Sequence, residues 1–242
     1  MGTMVTEFFL RALHLAYSFD PNVTSQERLS AEKYLMELVE SPEGLHMAFH
    51  ILNSEPVQEM RCFWAFNTII HQLPALASSV SAAQAEELYT TLFQFIYRYF
   101  FTPTTAPVDF LTNKHAQLMA VGLRHFYPAR WRGFFHDLLD LLARGQAAAA
   151  PREAVAMYFL RVCEAIDECV VAPREAAEPG PGSRARDMAV KDAMREAAVP
   201  RLVAAWYGLL AEADGRGPGL PGLCLDVLQA YIAWVDIALL TT

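Results

Sequence analysis

Apolar positions along this chain recur with a helical period. Trp131, Phe134, Phe135, Leu138, Leu139 and Leu142 fall on one stripe, while Arg132, His136, Asp137, Asp140 and Arg144 fall outside it. A second apolar pattern begins at Phe110, and the two are separated by Tyr127-Pro128-Ala129-Arg130. Proline lacks a backbone donor and biases the preceding residue away from helix, so Pro128 marks a boundary between two antiparallel helices. Such a helix is marginal alone in water and must lay its stripe on neighbours.

The same period predicts helices through most of the chain. Val5 to Tyr17 forms a lead helix, ended by the turn Phe19-Asp20-Pro21-Asn22. Thr24 is the expected N-cap of the next helix, with Glu27 at the capping-box position. Ser41 with Pro42 opens another, which runs to about Asn53. Ser54-Glu55-Pro56 is expected to start a helix in the same manner, ended or kinked at Pro74. Ser81 caps a helix whose stripe is Leu88, Leu92, Phe95, Ile96 and Tyr99. Gly145 to Pro151 reads as a small-residue linker, followed by a helix from Glu153 to Val170. Pro173 to Ser183 is the strongest loop candidate. Arg184 to Ala213 is helical with a break expected at Pro200, Gly215 to Gly222 is a second Gly/Pro loop, and Leu223 to Leu240 is a last helix.

No stretch shows sustained period-two alternation, so no sheet is expected. The helices pair, and the first helix of each pair begins near 24, 55, 108, 152 and 219. That spacing is irregular but centres on the ~40–47 residues of HEAT or armadillo repeats. The predicted fold is therefore an all-α HEAT-repeat solenoid of about five helical hairpins. The last helix still carries a large apolar face, so the chain is expected to be a piece of something longer.

Composition narrows the chemistry. The 242 residues are 54% hydrophobic and carry a net charge of −8, which suits a basic partner and argues against strong autonomous binding to nucleic acid. Cys62, Cys163, Cys169 and Cys224 form no CxxC pair and sit in apolar helical patterns. They read as small buried thiols of a reducing compartment, the cytosol or nucleus. Glu7 and Arg11 interrupt the first apolar run, so no signal peptide is expected, and no run is long enough to predict membrane insertion.

Candidate catalytic and ligand motifs are weak. His46 and His50 share a helix face at the spacing of zinc peptidases, but Met47 stands where such a peptidase has its glutamate. No metal and no cofactor is expected. Asp167 with Glu164 and Glu168, and Asp137 with Asp140, read as solvated carboxylates on amphipathic helices. Arg184, Arg186, Lys191 and Arg195 alternate with Asp187, Asp192 and Glu196, which reads as an exposed salt-bridged helix rather than an RNA patch. An enzyme is not expected.

Several of these segments carry a resemblance. Tyr127-Pro128-Ala129-Arg130-Trp131, followed by Phe134-Phe135 and Asp137-Leu138-Leu139, resembles a turn of the importin-β-like exportins. Val190 to Leu210, VKDAMREAAVPRLVAAWYGLL, resembles the tRNA exportin family more specifically, as do CLDVLQAYIAWVDIALL near the end, FWAFNTIIHQ at Phe63 to Gln72, and Asn113-Lys114. The resemblance covers about Ser25 to Leu240 and departs mainly in loops. It implies a right-handed solenoid that is the N-terminal portion of a longer superhelix. Residues 1–107 would be repeats 1–2 with the Ran-binding region, and residues 108–242 repeats 3–5. The function implied is nuclear export of tRNA: Ran-GTP and tRNA bind cooperatively in the nucleus and leave in the cytoplasm. Such a receptor shuttles between nucleus and cytoplasm, holds tRNA mainly through its full length, and meets FG-repeat proteins of the nuclear pore. The polar positions expected to face Ran are Glu43, His46, His50 and Asn53 in repeat one, and Glu87, Thr91, Gln94 and Arg98 in repeat two. The other reading open to this sequence is a general helical scaffold binding a protein partner in its concave groove.

Overall fold

A computed structural model describes residues 2–17, 20–102, 106–148, 151–171, 181–212 and 219–232. Every regular element among them is helical. The chain divides into two compact units, residues 1–76 and 77–242.

The first unit holds α1 (Gly2–Tyr17), α2 (Ser25–Val39), α3 (Pro42–Leu52) and α4 (Glu59–Leu76). Local chemistry sets its boundaries. Thr24 accepts the Glu27 N–H at 3.2 Å while the Glu27 carboxylate accepts the Thr24 N–H at 3.0 Å, closing the expected capping box. Ser41 accepts the Gly44 N–H at 3.0 Å, with Pro42 in the first turn where its missing donor costs nothing. The helix expected at Ser54 begins later. The first ladder bond runs from the Cys62 N–H to the Gln58 carbonyl, so residues 54–58 are a connection, within which Glu55–Pro56 is cis. Pro74 lies in the last turn of α4, which continues to Leu76. Helix α1 packs on α2 and α3 on α4. Phe9 meets Trp64 edge-on at 4.6 Å in a core that also buries Leu52, Phe66 and Leu73.

The second unit holds α5 (Ala82–Phe101), α6 (Asp109–Phe126), α7 (Phe134–Ala147), α8 (Arg152–Ile166), α9 (Pro181–Ala197), α10 (Val199–Ala211) and α11 (Gly219–Ile232). Helix α8 ends in a π-helical turn, Asp167–Val171. Ser81 and Gln84 form a second capping box at α5. The break at Pro200 is present: α9 stops at Ala197 and α10 restarts with the proline in its first turn. The alanine run is helical as far as Ala147. Residues 173–180 and 215–218 of the two expected loops, and 233–242 of the last expected helix, lie outside the described residues, while Pro181–Ser183 and Gly219–Gly222, expected as loop, form the first turns of α9 and α11. Helix α8 packs on both α6 and α11, so first helices of successive predicted pairs touch in order, and α7 packs on α8. That is how an all-α HEAT-type repeat buries stripes no single hairpin could cover.

The turn between α6 and α7 buries a tryptophan against α5. Trp131 sits in the turn rather than in α7, 1% exposed, and Leu141 takes a core position while Leu139 is half-buried. Asp137 and Asp140 are not a solvated pair. The Tyr89 hydroxyl donates to Asp137, and the Tyr97 hydroxyl donates to Asp140 at 3.0 Å. Burial alone would raise the Asp140 pKa, but bonds from Tyr97 and Arg144 hold it below the usual carboxylate value. Burial and the Asp140 bond push the Tyr97 phenol up to about 12. Asp167 is likewise buried, at 7% exposure. These carboxylates of α7, beside its apolar stripe, are reached by tyrosines of α5, which charge pattern alone does not reveal.

His115 shows the same logic in a fully buried group. Its Nε2 lies 3.2 Å from the Leu92 carbonyl, so Nε2–H donates and Nδ1 accepts the Tyr158 hydroxyl at 2.8 Å. Burial drives its pKa down to about 3 from an ordinary 6.5, against the backbone bond. The unfolded chain therefore takes a proton that the folded chain refuses, and stability falls as pH drops from about 6.5 towards 3. The expected slope is on the order of 1 kcal/mol per pH unit within that window. Denaturation at a series of pH values should show a shallower dependence for His115→Asn than for the parent, whatever the variant's absolute stability. Parallel curves would remove His115 from the account.

Candidate partner-binding surfaces

The residues expected to face a partner lie on α3 and α5, which belong to different units. On α3, the Ser41 cap and buried Gly44, Ala48 and Leu52 fix one face inward. Glu43, His46, His50 and Asn53 lie on the other side and are all exposed. The Asn53 amide is bound to the Phe49 carbonyl at 3.0 Å, so it extends the helix end and is held in place.

On α5 the picture shifts by one residue. Glu87 and Gln94 are exposed and Arg98 is half-buried, but Thr91 is 7% exposed. Thr91 is therefore removed from the accessible surface, and Thr90 takes its place in the exposed row. At roughly 100° per residue, Thr90 lies nearly opposite the centre of the Leu88–Leu92–Phe95–Ile96–Tyr99 stripe, whereas Thr91 lies on its flank. A stripe-centred reading of the sequence finds Thr90.

A groove of about 640 Å³ runs between α6 and α8. Phe110, Asn113, Lys114 and Gln117 line one side, and Arg161 and Glu168 line the other. The Lys114 ammonium donates to Gln117 at 2.8 Å, and burial lowers its pKa. Arg161 is bound to Glu164 at 2.7 Å. Among the described residues no His, Cys, Asp and Glu group has the makings of a metal site. No described helix is long and apolar enough to cross a membrane.

A third surface lies at the far end of α6. Arg124 is buried and forms a two-pronged ion pair with Asp187 of α9, at 2.7 and 3.0 Å. The Arg186 guanidinium donates to His125 Nδ1 at 3.1 Å, and the Tyr127 hydroxyl donates to the Ala193 carbonyl at 3.3 Å. Asp187 thus does not sit in an exposed salt-bridged row, as the alternation along α9 led one to expect. Arg195 with Asp192, at 2.9 Å, keeps that pattern. The pairing missed by sequence reading joins residues 63 positions apart, and nothing local announces it.

Comparison with known proteins bears on what these surfaces serve. The family described as Exportin 1-like protein matches residues 108–242, from the loop before α6 to the end of the chain. The chain belongs to the exportin 1-like family. The exportin match starts at the boundary expected between the second and third repeats, whereas the compact units part at 76 and 77. Among the curated relatives, Exportin-T of Dictyostelium discoideum is 28% identical over 229 residues, covering 93% of this chain and 20% of that protein. Exportin-T of Mus musculus is 29% identical over 225 residues, covering 91% and 22%. Exportin-T of Arabidopsis thaliana is 32% identical over 133 residues, 54% of this chain. The chain thus spans about a fifth of the length of the first two exportins. The similarity extends across both compact units, beyond the matched exportin region.

Proposed function

We propose that this chain is part of a nuclear export receptor for tRNA, forming its N-terminal repeats and meeting Ran in its GTP form. The supporting observation is similarity to proteins named Exportin-T over more than nine-tenths of the chain. The physical character agrees: an acidic, all-helical chain presents polar faces suited to a basic protein surface. On this reading the α3 face, Glu43, His46, His50 and Asn53, contacts Ran, and the accessible α5 positions Glu87, Gln94 and Arg98 contribute in the second unit. Ran-GTP and tRNA favour the same curvature of the whole receptor, so each raises the affinity for the other, and loss of the GTP state releases both. Full-length receptor holds most of the tRNA, shuttles between nucleus and cytoplasm, and engages FG-repeat proteins in the pore.

The α3 face gives a direct test because its members are exposed and their replacement spares the core. Glu43→Lys combined with His50→Glu should weaken binding to GTP-loaded Ran by about tenfold, or 1.4 kcal/mol, by calorimetry. The unfolding midpoint should stay within a few degrees of the parent. Unchanged affinity in a folded variant would remove α3 from the interface.

A further inference from the structure

The fold places a positive edge on a negative chain. Three exposed or half-exposed arginines lie where α6 ends and α10 begins: Arg130 and Arg132 in the α6–α7 turn, and Arg201 in the first turn of α10. The Tyr127 hydroxyl on the Ala193 carbonyl docks this turn against the end of α9. Arg201 donates to the Ala197 carbonyl at 3.0 Å, one helical turn beyond Ala193. The two segments are therefore neighbours in space although far apart in sequence.

The arginines are held in an informative way. Arg130 donates to the Val80 carbonyl at 3.0 Å and lies 5.8 Å from the Phe126 ring centre. Arg132 donates to the Ala129 carbonyl at 3.2 Å. Among the described residues, each of the three thus uses one nitrogen on a neutral carbonyl rather than on a carboxylate. A carbonyl orients a guanidinium without cancelling its charge, and the planar fork keeps further donors for a bidentate acceptor. Two acids of α9 are already engaged by other arginines. Asp187 is buried on Arg124 and Asp192 is taken by Arg195, leaving Glu196 as the remaining exposed acid of this stretch of α9. An excess of forked cations on a chain of net charge −8 is a local feature, not a consequence of composition.

We propose that Arg130, Arg132 and Arg201 form a phosphate-contact edge for structured RNA. Guanidiniums fit phosphate oxygens two at a time, and their spread over two segments suits successive phosphates of a backbone better than a single anion. The turn offers no exposed aromatic ring between them, so the edge reads backbone and not bases. The inference rests on the export-receptor reading for the source of the RNA, though the edge itself is argued from charge and geometry.

The test is fluorescence anisotropy of a labelled tRNA with the 242-residue chain between 50 and 200 mM salt. The parent should bind weakly and with steep salt dependence. Replacing all three arginines by glutamine keeps a donor for each carbonyl and removes the charge. It should weaken binding about tenfold or more at low salt and reduce the log–log salt slope by about two to three units, near 0.7–0.9 per lost contact. Replacement by lysine should restore the slope. No binding by the parent at 50 mM salt, or an unchanged slope in the glutamine variant with native circular dichroism, would overturn the edge. So would equal competition by poly-glutamate at matched charge, which would assign the edge to an acidic protein segment. None of these outcomes alters Ran binding through α3, so failure of the edge and failure of the receptor reading are separately visible.

Discussion

Trp131→Ala is expected to lower the free energy of unfolding by about 3–5 kcal/mol, the range for removing a large buried aromatic side chain. Trp131 is 1% exposed and touches three helices at once. Its ring centre lies 5.3 Å from Tyr89 of α5, 5.2 Å from Phe126 of α6 and 6.1 Å, stacked, from Phe134 of α7. Its Nε1–H donates to the Ala85 carbonyl at 2.9 Å. Truncation opens a cavity where these helices meet, and the rigid rings around it cannot collapse into the gap. Gly122 shows how closely the site is filled. A Cβ there would stand 2.1 Å from the Trp131 ring, so α6 needs glycine to seat the indole. Urea denaturation of the variant checks the figure, and a loss under about 1 kcal/mol would show that the three helices do not depend on this ring. Trp131→Phe should recover much of the stability because it restores volume without the indole donor.

The second large effect concerns the Arg124–Asp187 pair. Its side chains are 6% and 12% exposed, and it is a buried polar link between α9 and α6. Breaking a buried pair by removing one partner leaves an uncompensated charge and costs about 3–5 kcal/mol. Arg124→Met and Asp187→Leu should each be destabilising in that range, whereas the double substitution should recover most of the loss, because two apolar groups leave no orphaned charge. Additive losses in the double variant would contradict a direct partnership.

What could be read from the chain follows how local each cause is. The caps Thr24, Ser41 and Ser81, and the helix restart around Pro200, depend on residues within a few positions of each other, and all are present. The late start of α4 was hidden because Ser-Glu-Pro also fits a connection. Thr91 was misplaced by one residue because a flanking position alternates between core and surface as the helix turns. The long-range polar contacts, Tyr89 to Asp137, Tyr97 to Asp140 and Arg124 to Asp187, were invisible for a different reason. Their partners come from separate helices, and a charged residue beside an apolar stripe looks solvated until its neighbour is known. The candidate interface on α3 was legible as an exposed polar face, while the arginine edge needed the fold to bring residues 130–132 and 201 together.

On the proposed reading, this chain forms part of a receptor that distinguishes the nucleotide states of Ran. The most direct measurement is calorimetric binding of the 242-residue chain to Ran loaded with a non-hydrolysable GTP analogue or with GDP, at equal salt. The account predicts at least about a tenfold preference for the GTP form, 1.4 kcal/mol or more. Equal affinity for the two forms, or no binding by a chain with native circular dichroism, would contradict it.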